Sequence, residues 1–483
     1  MPSQNKQTPF WLITFSLLIG LTLPTLIQDG MFMDAMLYTS VSHNLSMGIG
    51  TFWFPQFSVH NLATLSSFHE QPPLVFGIQA LFFKLLGDSL YVERFYTLLT
   101  MCITALLIHM FWKDIFTNNN LKKLSWLPIL LWISIPVCFW SYSNNMHENT
   151  MGIFTLLAVL LMYQSFQTEK NNIALLLLSG VFIFLASLCK GLPGLFPLTT
   201  PFLYWLVFRK NNFRKTVLET TTLTLASALI YLTLFLFPDS KESLSIYFFQ
   251  RALHRINEDP TVSSRFYILL RLGMELLPQI ILVLVILIIG IIKKSETQLS
   301  QYIRKAIFFI SVGLSASMPL MLTLVQKGFY FVPALPYFAI GLAILVAPTI
   351  SSWIEMINIK NIKYKMFLFT SCLLLMSVTV FAFMQKGKIS RNKELLQDVY
   401  LIGTIVPKYS TVTVEAPTWN DWDLQCYLIR YFNISLEVDN KKDYFIVSKK
   451  SPSADTLLGY QKIDIKTSQY NLHRKLPSNS SKK

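Results

Sequence analysis

The run "FWLITFSLLIGLTLPTLI", Phe10 to Ile27, decides what kind of solvent this chain folds in. It contains no charged residue, and it approaches the roughly 20 apolar residues that a helix needs to cross a bilayer. "IILVLVILIIGII", Ile280 to Ile292, makes the same statement with β-branched side chains. The 483 residues as a whole are 53% hydrophobic and only 14% charged, where a soluble domain carries about 25% charged residues. The expectation is a multi-pass α-helical membrane protein.

Apolar segments recur at roughly 10–27, 91–112, 124–140, 150–167, 172–189, 192–208, 216–237, 267–292, 306–325, 329–348 and 366–385, which predicts about eleven spans. The net charge of +15 is not spread as a nucleic-acid surface would spread it. It sits in short loops between apolar runs: Lys113, Lys122 and Lys123; Arg209, Lys210, Arg214 and Lys215; Lys293, Lys294, Arg304 and Lys305; Lys360, Lys363 and Lys365. Cytoplasmic loops collect Lys and Arg. With the N-terminus inside, every one of these clusters falls on the cytoplasmic face, and nucleic acid is not an expected partner. The outer face then receives residues 28–90, 141–149, 238–266 and the C-terminus. The first apolar run lacks a small-residue cleavage site and reads as a retained helix rather than a signal peptide. Cys102, Cys138, Cys189, Cys372 and Cys426 are scattered and odd in number, with neither a disulfide framework nor a metal spacing. No internal repeat is evident.

Two helices are predicted to lie on the membrane surface within the first outer segment. One is "DAMLYTSVSHNL", Asp34–Leu45. The other covers residues 74–87, too short to span and unable to continue a preceding helix through Pro72-Pro73. From about Lys386 charges become frequent. "STVTVEAP", "ISLEV" and "DYFIVSK" read as strands, and "NKELLQDVYLIGTI" and "DLQCYLIRYF" as helices. The expected division is a membrane domain over 1–385, an extracytoplasmic α/β domain over 386–475 with no nucleotide-binding glycine motif, and a disordered tail over 476–483.

Candidate functional residues gather on the outer face. A carboxylate beside a bilayer is costly and is a functional candidate by default. Asp34 stands near a helix start with Tyr38 one turn on along the same face; it is equally a first-turn acid complementing the helix dipole. Asp29 reads as a loop or capping residue. The elbow "SFHEQPPL", Ser67–Leu74, holds His69 and Glu70. His147 and Glu148 stand at the mouth of a span, where Glu148 is also a natural cap. Lys190, between glycine-bearing turns in "LASLCKGLPGLFPL", suits a phosphate as a point charge or a snorkelling position at the interface. Arg251, His254 and Arg255 share a helical face in "YFFQRALHRINEDP", fit for an anionic headgroup or a solvated loop helix. Lys327 and Tyr330 precede a helix kinked near Pro333 or Pro336.

These motifs, in this order, resemble the GT-C fold glycosyltransferases that use polyprenyl-phosphate sugars. The likeness is nearest to bacterial relatives of protein O-mannosyltransferases and of the aminoarabinose transferases that modify lipid A. That pattern is an acid then a tyrosine after the first helix, an "EKPPL" segment, a "KGP" turn and a "YLLPALP" segment. Here it reads "DAMLYTSVSHNL", "HEQPPLVFGIQALFFKLLGDSLYVERF", "LASLCKGLPGLFPL" and "YFVPALPYFAIGLA", spread from about Asp29 to Ala347. The resemblance implies transfer of one sugar from a polyprenyl-phosphate carrier to a lipid, glycan or protein acceptor outside the cytoplasmic membrane, with inversion. It implies Asp34 as general base, and places Glu148, Lys190 and Glu70 at the site. Two departures stand out. The family's Asp-Glu pair is Asp34-Ala35, and its Glu-Lys-Pro-Pro is Glu70-Gln71-Pro72-Pro73. Another cation, Lys190 or Arg255, must then meet the donor phosphate; Arg251 and Lys327 are further candidates for that charge. No cofactor is specified, and a divalent metal stays open. The alternatives are a flippase or transporter of a lipid-linked sugar, and an oligosaccharide ligase or oligosaccharyltransferase.

Overall fold

The computed structural model describes residues 6–58, 67–168, 172–210, 212–253, 260–293, 299–438, 440–452 and 457–477. All eleven apolar segments are helical, but not all are straight spans. Among the described residues, nine helices are long and apolar enough to cross a membrane. The tenth segment is a broken pair, Asn119–Ile133 and Pro136–Tyr142, bent by 87°. The eleventh, Leu192–Phe208, is short and begins as a 3-10 helix, Leu192–Thr199. The expected count of eleven therefore becomes nine, or ten with the bent pair. Backbone chemistry explains the break. Pro136 has no N–H to donate and forces Ile135 into an extended conformation (φ −70°, ψ 127°). The N–H of Val137, at the start of the second half, donates to Glu275 Oε2 at 2.8 Å, and Gln279 donates to Ser134 at 3.2 Å. Arg271, one turn from Glu275, pairs with it at 2.6 Å.

The chain divides into two compact units. The first comprises Met1–Ile27, Glu70–Val75 and Arg94–Lys386. Its centre is formed by His147–Gln167 and Gly328–Glu355, whose most apolar stretches are 78% and 89% buried; Phe213–Leu234 and Ile362–Phe383, at 17% and 11%, turn their apolar surface outward, as lipid-facing helices do. Tyr163 of His147–Gln167, Tyr204 of Thr200–Phe208, and Phe308 and Phe309 of Leu299–Ser317 interlock, with ring centroids 5.1 to 6.5 Å apart.

The second unit joins Gln28–His69 and Phe76–Glu93 to everything from Gly387 onward. Its sheet has strands β1 (Thr411–Val414), β2 (Ser435–Glu437), β3 (Tyr444–Ser448), β4 (Tyr460–Lys462) and β5 (Tyr470–Lys475) in the order β2-β1-β3-β5-β4. β1 pairs in parallel with both β2 and β3, and β5 pairs antiparallel with β3 and β4. The helix Trp422–Phe432 connects β1 to β2. It starts at Asp421, whose side chain accepts from the Leu424 N–H, and stops at Asn433 in the left-handed conformation. The helix Met33–Ser46 lies against it, with Ser40 Oγ donating to the Cys426 carbonyl at 3.1 Å. Asp29 is the hinge pin of this packing. Its carboxylate accepts from Tyr400 and Tyr431, each at 2.6 Å, and from the Gly30 N–H. Ser478 to Lys483, most of the expected tail, lie outside the described residues.

Candidate active site

Within the first unit a cavity of about 400 Å³ gathers five residues singled out from the sequence: Glu70, Glu148, Lys190, Arg251 and Tyr330. Lys190 ends the helix Ile173–Lys190 and is followed by Gly191 at φ +77°. A Cβ on Gly191 would lie 1.7 Å from the Tyr247 hydroxyl oxygen, so both the dihedral and the space demand glycine. The Tyr247 hydroxyl donates to the Lys190 carbonyl at 3.3 Å, satisfying one of the helix's terminal acceptors. Tyr247 and Arg251 belong to one π-helical turn, Ile246–Ala252, and both line the cavity.

Two ion pairs divide the polar end. Lys190 Nζ lies 2.8 Å from Glu148 Oε1, with side-chain exposures of 5% and 1%. It also stands 5.8 Å from the centre of the Tyr330 ring. Arg251 pairs with Glu70, and there the exposures are 36% and 32%. The difference matters energetically. Removing one partner of a buried pair costs about 3–5 kcal/mol, whereas a solvent-accessible pair is worth about 0–1 kcal/mol. The remaining wall is largely apolar, including Leu192, Leu195, Phe196, Pro319, Leu320 and Val325. The arrangement suits an amphipathic ligand with an anionic head and a hydrocarbon tail.

Gln71, where the family pattern carries lysine, is 4% exposed. The cation beside this elbow is instead Arg251, reaching Glu70 from 181 residues away in sequence. Lys327 is exposed and does not line the cavity. Asp34, Tyr38 and His69 belong to the second unit. Asp34 occupies the first turn of Met33–Ser46, and Tyr38 is buried with its ring 6.2 Å from that of Phe76. His69 packs edge-on to Phe54, and burial pushes its pKa down to about 4. Arg255 and His254 lie outside the described residues. Sequence reasoning missed Tyr247; the available signal was an aromatic residue four positions before Arg251. Among the described residues no group of three or more His, Cys, Asp or Glu could hold a metal ion.

A bundle of long apolar helices, with a separate unit that carries a small β-sheet, is the GT-C fold. Over residues 70–237, which include Glu70, Glu148 and Lys190, the chain matches the family described as dolichyl-phosphate-mannose-protein mannosyltransferase. Its fold is similar to that of ArnT from Cupriavidus metallidurans bound to undecaprenyl phosphate: TM-score 0.66, 13% identity, 97% of this chain and 98% of that one. The apo state of the same protein gives 0.64 and 13%, over 96% of each chain. The archaeal oligosaccharyltransferase AglB from Archaeoglobus fulgidus aligns at TM-score 0.48 and 13% identity, over 91% of this chain and 69% of that one. No curated protein sequence matches.

Proposed function

We propose that this protein is a membrane glycosyltransferase that moves a single sugar from a polyprenyl-phosphate carrier to an acceptor on the outer side of the cytoplasmic membrane. The observation that supports this reading best is the convergence of Lys190, Arg251, Glu70, Glu148 and Tyr330 in one largely apolar cavity. A lipid phosphate needs cations for its head and hydrocarbon for its tail, and the cavity offers both. A similarly folded protein was solved with undecaprenyl phosphate bound.

A phosphate leaving group needs no protonation at neutral pH, so the reaction requires one base and charge stabilisation rather than an acid pair. Asp34 takes the acceptor hydroxyl proton, the acceptor oxygen attacks the anomeric carbon, and the carrier phosphate leaves with inversion. Cationic side chains of the cavity stabilise the departing phosphate. The acceptor is a lipid, glycan or protein of the envelope.

Mass spectrometry of envelope glycans and lipids, from cells with and without the intact protein, tests this directly. The expected result is loss of one single-sugar modification. Replacing Asp34→Asn in a normally inserted protein is expected to slow transfer by about 10²–10⁴-fold, the usual general-base contribution. Near-normal transfer by that variant would remove Asp34 from the mechanism. Accumulation of lipid-linked sugar on the cytoplasmic side, with no defect in transfer itself, would replace the enzyme with a flippase.

A further inference from the structure

The two ion pairs of the cavity are chemically alike but not equally available. We infer that Glu70 is a competing counter-ion for Arg251: the donor phosphate takes the guanidinium from this carboxylate, and the carboxylate reclaims it when the spent carrier leaves. This rests on the proposed transfer from a lipid phosphate and assigns different tasks to the two pairs. Lys190 and Glu148 are almost fully buried, so separating them would leave an uncompensated charge away from water. They form a fixed pair. Arg251 and Glu70 are each about a third exposed, so water softens the cost of exchanging one oxyanion for another. Guanidinium presents a planar fork of N–H groups that donates to carboxylate and phosphate with the same geometry. Its backbone is anchored: Arg251 shares the π-helical turn with Tyr247, whose hydroxyl holds the Lys190 carbonyl. Glu70 is set by the rigid Pro72-Pro73 elbow beside it. The carboxylate therefore lowers affinity for the anionic carrier and hastens its release.

The test is equilibrium binding of a polyprenyl monophosphate to the purified full-length protein in nanodiscs, with the polyprenol and inorganic phosphate as separate probes. Wild type is expected to bind the lipid phosphate more tightly than either probe. Glu70→Gln is expected to bind it about 3–10-fold tighter than wild type while lowering the turnover of donor, because release becomes slow. Arg251→Ala is expected to weaken binding at least tenfold. Both variants should unfold within about 2 °C of wild type, whereas Lys190→Met should unfold about 5 °C lower or more. Weaker binding by Glu70→Gln, or unchanged binding by Arg251→Ala, overturns the competition while leaving the glycosyltransferase reading intact. Wild-type binding no better than that of the polyprenol overturns both, and a preference for inorganic phosphate over the lipid does the same.

Discussion

The turn after Lys190 shows how much of the site hangs on single residues. Gly191 has a positive φ and no space for a side chain against Tyr247. Gly191→Ala is therefore expected to cost about 1–3 kcal/mol in backbone strain alone, with a further term for moving Tyr247. Part of that further term should disappear in a Tyr247→Ala background, because the obstructing hydroxyl is gone. A thermal-unfolding double-mutant cycle measures it, and strict additivity would show that the two residues do not press on each other. At this scale the sequence was partly legible. Lys190, Glu148 and Glu70 were readable because charged residues stand out against apolar runs. The loss of lysine at Gln71 was equally plain. Which of the candidate cations pairs with Glu70 was not, because Arg251 and Glu70 stand 181 residues apart, and no local pattern records such a contact. Tyr247 was missed because what it does, donating to the Lys190 carbonyl, joins positions 57 residues apart.

Elements were read well where length and period agree, and less well where they conflict. Among the described residues the nine long apolar runs are helices close to their expected limits, since a helix satisfies every backbone group of a single segment in lipid. The segment around 124–140 is just as apolar, but Pro136 breaks it, and an apolar count does not register a missing N–H. What makes the break tolerable is Glu275, which accepts from the Val137 N–H while pairing with Arg271. Glu275→Leu removes that acceptor and leaves a buried donor unmatched. It is expected to lower stability by about 1–3 kcal/mol, seen as a lower unfolding midpoint in detergent. Glu275→Gln, which keeps an acceptor, should lose less. Equal losses from the two variants would mean that the ion pair, not the helix cap, is what counts. In the α/β unit, the strands with β-branched or alternating residues were legible. β4 and β5, "YQK" and "YNLHRK", were not: they are polar, and their pairing with each other and with β3 is what makes them strands.

At the scale of the molecule, the second unit is assembled from distant parts of the chain, and a buried arginine holds them. Arg430, from the helix Trp422–Phe432, is 1% exposed. It donates to Glu93 at 3.0 Å and Asp88 at 2.9 Å, and to the carbonyls of Asp88 and Ser89. Its guanidinium covers the Phe83 ring at 4.9 Å, and His43 reaches Asp88 at 2.6 Å. Burial pushes the Asp88 carboxyl up, but the hydrogen bond and charge of His43 and the charge of Arg430 outweigh it and hold it below the usual carboxylate range. The sequence displayed each of these residues without showing that the C-terminal segment shares a compact unit with Gln28–His69 and Phe76–Glu93. Arg430→Met tests the dependence. It leaves Glu93, whose side chain is fully buried, as an uncompensated charge, at an expected cost of about 3–5 kcal/mol. The variant should become sensitive to limited proteolysis both within residues 28–93 and beyond Gly387, because the two regions lose the same anchor. Adding Glu93→Leu should recover much of the resistance, since an apolar replacement of both partners of a buried pair is often tolerated. Cleavage confined to the C-terminal segment, with residues 28–93 as resistant as in wild type, would show that the two parts hold their folds independently.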